Sequence, residues 1–258
     1  MSEPLLSVRD LTLRFGAVTA FAGVSFDVAR GELFAVIGPN GAGKSSLFNA
    51  LSRVYEPCSG AVTFDGRDFL RLAPRQLAGI GIARSFQNLG VFPALTVLEN
   101  VMVGRHHLMR AGALRGGLGL ARGEERRHRA AALEALEFVD IRHLAGATVH
   151  TLPYGLQKRV ELARCLAMEP SVMLLDEPVA GMNASERGEI ADLVARVHAE
   201  RELTLLLVEH DMGMVMKVAE RILVLDFGEP IAIGTPPAIQ RDERVIRAYL
   251  GEELGVAA

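Results

Sequence analysis

Gly38-Pro39-Asn40-Gly41-Ala42-Gly43-Lys44-Ser45 combines the residue types that can hold a chain of phosphates. Its glycines let successive backbone N–H groups turn inward around oxygen atoms. A helix starting at its end adds partial positive charge, and Lys44 has the reach for β- and γ-phosphates. The Ser45 hydroxyl suits Mg²⁺, and Ser46 opens the helical segment that runs to Leu51. A plain glycine-rich turn is the competing reading. The apolar run Leu33–Ile37 before the loop and the helical pattern after it supply the strand–loop–helix setting that phosphate binding requires.

Two further groups fit the same chemistry. The apolar run Val172–Leu175 ends in Asp176-Glu177-Pro178. In an open parallel sheet ligands bind beyond the C-terminal strand ends, so Asp176 can hold Mg²⁺ through water while Glu177 orients and deprotonates a water attacking the γ-phosphate. By itself an Asp-Glu pair reads as a helix cap; beside a phosphate loop the catalytic reading gains. The run Leu203–Val208 leads through Glu209 to His210, a lone histidine that on its own reads as structural. With the other two groups present, its imidazole can hydrogen-bond the γ-phosphate and the attacking water. Gln87, in Ser85-Phe86-Gln87-Asn88, is by itself a polar loop residue.

These side chains need a scaffold that ends several strands at one edge. Leu33–Ile37, Val172–Leu175, Leu203–Val208 and Ile222–Leu225 read as buried strands. Between the last three, Ile190, Leu193, Val194 and Val197, then Met212, Val215, Met216 and Ala219, recur at helical spacing, which gives strand–helix–strand crossovers with methionine as core filler. Leu6–Val28 instead alternates apolar and polar residues as short antiparallel strands do. From about Leu89 to Ala163 strand patterns vanish, and the interval reads as a helical insertion interrupted by the Gly/Arg-rich stretch Gly104–Gly123. The expectation is an α/β fold: a phosphate-loop (RecA-like) core, an N-terminal antiparallel β subdomain and an inserted α-helical subdomain at about 89–163. All belong to one domain, 1–258, with a C-terminal tail from about 236.

Composition narrows the function classes. The 258 residues are 50% hydrophobic and 23% charged, with 28 Lys and Arg against 31 Asp and Glu, which argues against a disordered chain or a basic nucleic-acid arm. Nucleic acid is not expected as a partner. Mean hydropathy is +0.24, yet no apolar run approaches the roughly 18 residues of a spanning helix. No basic start precedes an apolar stretch of roughly 7–15 residues, which points to the cytoplasm. Cys58 and Cys165 lack metal or redox spacing and read as two reduced, packed thiols. The basic cluster Arg122–Arg129 reads as a solvated helix face rather than a lipid contact.

In their order along the chain these pieces resemble the ATP-binding subunits of ABC transporters. Leu152-Pro-Tyr-Gly-Leu-Gln-Lys-Arg-Val-Glu-Leu-Ala-Arg164 is similar to the signature segment of that family and the helix it starts, which makes the insertion a signature subdomain. The resemblance spans almost the whole chain. It is most specific to the branched-chain amino-acid importer group, through Leu95–Asn100, Glu177–Asn183, Val208–Met212 and Ala248–Glu252. It implies ATP and Mg²⁺ as cofactors and Phe15 stacking on adenine, against a competing reading of Phe15 as a strand-core aromatic. It further implies Gln87 linking Mg²⁺ to a membrane partner, His210 as the switch histidine, Pro153, Tyr154 and Gly155 facing nucleotide across a dimer, and Asn183 in the dimer-contacting loop. The sequence departs from the family where Pro153 replaces the usual serine and Leu156 the glutamine, so one hydroxyl donor to the γ-phosphate is missing. Proline suits the first turn of a helix, so the Gly155 N–H can still point at phosphate, with turnover reduced.

The resemblance implies a Mg-dependent ATPase that pairs with a second ATP-binding subunit, identical or related, and serves transmembrane permease subunits and, indirectly, an external solute-binding protein. Its place would be peripheral, on the cytoplasmic face of the inner membrane. An exporter subunit, a non-transport ABC ATPase and a phosphate-loop kinase are the rivals. The single phosphate loop, the lack of sustained heptads and the signature segment argue against the last two.

Overall fold

Strand periodicity separates two sheets in the computed structural model, which describes residues 3–85, 90–109 and 122–253. In Leu6–Phe15 (β1) and Val18–Val28 (β2) buried positions are interleaved with exposed ones, as suits a sheet with one solvated face, whereas Leu33–Ile37 (β3) is buried at every position. β1 and β2 pair antiparallel, and Ser59–Phe64 (β4) and Arg67–Asp68 (β5) extend them into a four-stranded sheet of order β2-β1-β4-β5.

The second sheet holds the strands read as buried. Ile82–Arg84 (β6), Val172–Asp176 (β7), Thr204–Val208 (β8), Arg221–Asp226 (β9) and Glu229–Gly234 (β10) join β3 in the order β10-β9-β3-β8-β7-β6. Every pairing is parallel except that of β10, the antiparallel edge. Register decides what this sheet presents. Asp176 lies opposite Val208 and Val208 opposite Val36, so one row joins the last residues of β7 and β8 to the penultimate residue of β3. Glu177, Glu209 and the start of the phosphate loop therefore emerge together.

Side-chain alternation gives the sheet two cores. Phe34, Val36, Val172, Leu174, Leu206 and Val208 pack toward the β1–β5 sheet and the helix Lys44–Leu51 (α1), through Leu47, Phe48 and Leu51. Ala35, Met173, Leu175, Leu205 and Leu207 pack on the opposite side against Val97–Gly104 (α2), Arg122–Phe138 (α3), Tyr154–Ala167 (α4), Ala184–Arg201 (α5) and Met212–Val218 (α6). The turn Pro236–Ile239 (α7) and Glu243–Glu253 (α8) complete the described chain. Between β6 and β7 the named elements among the described residues are all helical, and α4 continues to Ala167. Among the described residues no helix is long and apolar enough to cross a membrane.

Several details differ from the sequence reading. In α6 it is Met214, with Val215 and Val218, that is buried, while Met212 and Met216 are only partly covered. Cys165 is buried, and burial pushes its thiol up to about 12, but Cys58 is exposed, so only one of the two thiols is packed. The basic cluster starts α3 with Glu124 and Glu125 in its first turn; its His128 is buried and accepts from Arg105 Nε at 3.0 Å. Most of the Gly/Arg-rich stretch lies outside the described residues.

Leu207 is fully buried, opposite Ala35 and Leu175 in the central rows. Leu207→Ala should lower unfolding stability by about 2–5 kcal/mol, read as a fall in the urea midpoint at unchanged slope. An unchanged midpoint would contradict the placement of this residue.

Candidate functional site

The phosphate loop leaves β3 at Gly38 and ends at Gly43, which caps α1 with φ 91° and no side-chain hydrogen bond. α1 has no acidic residue in its first turn, so its opening N–H groups face a site without a built-in anion. Both end glycines are required by space. A Cβ on Gly38 would stand 2.1 Å from the Leu225 carbonyl oxygen, and one on Gly43 2.4 Å from that of Ala20. The second contact also ties the loop to β2, near the β1–β2 hairpin end. Lys44 is buried, and its ammonium donates to the carbonyl oxygens of Gly38 and Pro39 at 2.6 and 2.7 Å, which holds it folded over the loop. Ala42 is buried, Ser45 and Ser46 are half-buried, and Gly41 is exposed at the loop crest beside Asn40.

Asp176 has the same parity as Val172 and Leu174, so its carboxylate lies on the α1 side of the sheet. There Arg84 donates to its Oδ2 at 2.8 Å and to Asn49 of α1 at 2.9 Å. Burial pushes the Asp176 carboxyl up, and the Arg84 guanidinium partly offsets that. Oδ1 is buried with no hydrogen-bond partner among the described residues. A buried carboxylate oxygen without a donor, beside a phosphate loop carrying Ser45, fits a divalent cation or a water bound to one. The described residues hold no cluster of three or more His, Cys, Asp or Glu that could bind a metal by themselves. That donor set suits Mg²⁺, which typically takes one or two carboxylates and completes its shell with substrate phosphates and water.

Glu177 begins the loop to α5 in left-handed backbone, φ 45°, with its N–H donating to the Val208 carbonyl at 2.9 Å. Its side chain is only 15% exposed, and its Oε1 lies 3.9 Å from His210 Nδ1. The imidazole is 56% exposed and stands between two carboxylates, the second being Glu209 Oε2 at 3.8 Å. The structure thus brings the phosphate loop, Asp176, Glu177 and His210 to one sheet edge.

Other sequence candidates occupy different surroundings. Phe15 is 46% exposed and meets Tyr55 edge-on, with ring centroids 5.0 Å apart, so it is not a core aromatic. Pro153 occupies the N-cap of α4, one position before the first-turn site its ring suits. Its carbonyl accepts from the Leu156 and Gln157 N–H groups, while Tyr154 and Gly155 contribute the first two N–H groups of the helix. This segment adjoins the 177–183 loop: a Cβ on Gly155 would lie 3.6 Å from Glu186 Oε1, and one on Gly181 3.9 Å from the Tyr154 ring. Asn183 caps α5, accepting from the Glu186 N–H at 3.0 Å while the Glu186 carboxylate accepts from the Asn183 N–H. Gln87 lies outside the described residues.

Three residues escaped the sequence reading. Arg84 is one. Asp211 is another: it caps α6 by accepting from Met214 N–H and pairs with Arg187 at 2.9 Å, which together hold its carboxyl below the usual range. Glu209 is the third, fully buried, accepting from the N–H groups of Val179, His210 and Asp211. Burial pushes its carboxyl up and those three donors oppose the shift. A signal for it was present, since a carboxylate directly following an all-apolar strand must find donors.

Comparison with known proteins places this geometry among relatives. Residues 21–180 match the family profile described as ABC transporter, and residues 229–254 that described as branched-chain amino acid ATP-binding cassette transporter. The chain is 39% identical over 254 residues to the high-affinity branched-chain amino acid transport ATP-binding protein BraF of Pseudomonas aeruginosa, covering 98% of this chain and 100% of that one. It superimposes with a TM-score of 0.84 and 29% identity on MJ1267, an ATP-binding cassette of an ABC transporter, in its ADP conformation, covering 97% of this chain and 100% of that one. With the dimeric ABC transporter cassette MJ0796 the TM-score is 0.75 at 28% identity, covering 90% and 98% respectively.

Removing Arg84 leaves the Asp176 charge buried without its cation. Arg84→Ala should cost about 3–5 kcal/mol of stability. The sign with pH follows from the carboxyl, whose folded pKa is already raised and would rise further in the variant. The folded variant then binds a proton that the unfolded chain has released, so its deficit grows as pH increases through that range. Denaturation in mildly acidic and mildly alkaline buffers checks this; a deficit independent of pH would contradict the pairing.

Proposed function

The chain belongs to the ABC transporter ATP-binding family, and from that premise we propose that it is the ATPase subunit of an importer for branched-chain or related amino acids. The observation that carries the reading is the shared row of β3, β7 and β8, which delivers a phosphate loop, a buried carboxylate suited to Mg²⁺, a second carboxylate and a histidine to one edge. The relative BraF, similar over nearly the full length of both chains, supports import and the class of cargo.

Gly38 to Ser46 cradle the triphosphate through inward N–H groups, Lys44 neutralises the β- and γ-phosphates, and Phe15 stacks on the base from the β1–β2 edge. Ser45, Asp176 and Gln87 would hold Mg²⁺, which would supply charge that draws electron density from the phosphate oxygens. Glu177 accepts a proton from the attacking water, and His210 donates to a γ-phosphate oxygen and steadies that water. Tyr154, Gly155 and the Pro153 turn face the γ-phosphate of a second ATP-binding subunit, with Asn183 beside the dimer seam. The dimeric cassette MJ0796 supports such pairing. ATP joins the subunits by contacts that exist only in the closed state, and hydrolysis removes them.

Closure drives a separate permease, which an external solute-binding protein supplies. An apolar groove of about 650 Å³ between α2 and the core supports a permease dock there; it includes Val54, Leu77, Phe92, Val103 and Met168, and Gly90 opens onto it three residues after Gln87. On this reading the chain sits peripherally on the cytoplasmic face of the inner membrane.

Glu177→Gln should cut ATP turnover by about a hundredfold or more and accumulate an ATP-bound dimer in sedimentation with Mg²⁺. A variant that stays monomeric would end the pairing scheme for this protein. Lys44→Ala should lose nucleotide binding in calorimetric titration, and unchanged affinity would overturn the phosphate-loop assignment. Pro153→Ser restores a hydroxyl donor and should raise the ATPase rate; an equal rate would show that the helix N-terminus alone suffices.

A further inference from the structure

The loop beginning at Glu177 and the loop carrying His210 come from adjacent strands, and one side chain joins them from inside. Glu209 is fully buried, and its two oxygens divide their work. Oε1 accepts from the Val179 N–H at 3.1 Å, while Oε2 accepts from the His210 and Asp211 N–H groups at 2.9 and 3.1 Å. A buried carboxylate is tolerated only when its lone pairs meet donors, and here the donors belong to two separate loops. An outer strap runs in parallel. Arg187 of α5 donates to the Met182 carbonyl and to Asp211, both at 2.9 Å, but its side chain is half exposed and water screens that pair.

The inner link acts where the backbone is strained. Glu177 holds φ 45° immediately before Pro178, and a non-glycine residue persists in such a region only where its surroundings over-determine it. Two anchors flank it: its own N–H on the Val208 carbonyl, and the Val179 N–H on Glu209. We propose that Glu209 is a positioning residue for hydrolysis, fixing the Glu177 backbone in its left-handed conformation and keying that carboxylate to His210. The role rests on the reading of Glu177 as the base for ATP hydrolysis. It also gives movement of the Asn183 loop on subunit pairing a direct mechanical route to the histidine.

Glu209→Gln preserves volume and tests the division of work. Its amide nitrogen cannot accept a hydrogen bond, so the side chain must release either Val179 or the His210–Asp211 pair. Steady-state ATPase kinetics on the full chain should show kcat falling by about a hundredfold, with KM for ATP within about twofold of the wild type because the phosphate loop is untouched. Nucleotide-binding stoichiometry should remain one per chain. In the Glu177→Gln background, Glu209→Gln should also weaken the ATP-dependent dimer without weakening ATP binding.

A kcat within about twofold of wild type would overturn the proposal. So would a loss of kcat matched by an equal loss of binding stoichiometry, which marks a folding defect alone. If Glu209→Gln does not fold, Glu209→Thr takes its place: the short hydroxyl accepts from its own loop but cannot span to Val179, and the same split is expected. The underlying reading fails by a different result, full turnover in Glu177→Gln, which requires no variant at Glu209.

Discussion

Parallel pairing of β7 with β8 and of β8 with β3 forces three strands to finish at the same edge, and everything chemical in this chain follows from their being in step. Asp176, Val208 and Val36 share one row. A one-residue slip of β7 would turn Asp176 to the opposite face of the sheet, toward the helical core and away from α1. The register is secured because each of these strands is buried at all of its positions. Apolar side chains on both faces thus fix where charged ones emerge.

That edge buries two carboxylates, and they are satisfied in opposite ways. Glu209 meets three backbone donors, so it is a structural tie whose charge is consumed locally. Asp176 meets one guanidinium through one oxygen, and its other oxygen has no donor among the described residues. The first arrangement suits a rigid joint, whereas the second leaves an oxygen whose surroundings suit a cation. Accounting for donors around each oxygen separates their roles, although both are acids directly at or after the end of a buried strand.

Much of this arrangement was legible because it rests on local rules. Gly38–Ser45 could be read from residue type and setting, and the buried strands from unbroken apolar runs. Other elements left no such mark. β6 has three residues, too few for a period, and β10 is a largely exposed edge strand with Pro230 in it. Arg84 was hidden with β6, since only pairing with β7 brings it to Asp176. The Asn183/Glu186 capping box, by contrast, is written in the sequence at ordinary spacing. The role of Glu209 is hidden because one of its three donors, the Val179 N–H, comes from a loop about thirty residues away in the chain.

The central sheet also divides the interior into two compartments that share a wall and little else. Residues facing α1 and the β1–β5 sheet belong to one packed cluster, and those facing α2 to α6 to another. A change of side-chain volume behind one face is therefore felt first within that face's own cluster, and it reaches the other only through the backbone of the shared strands.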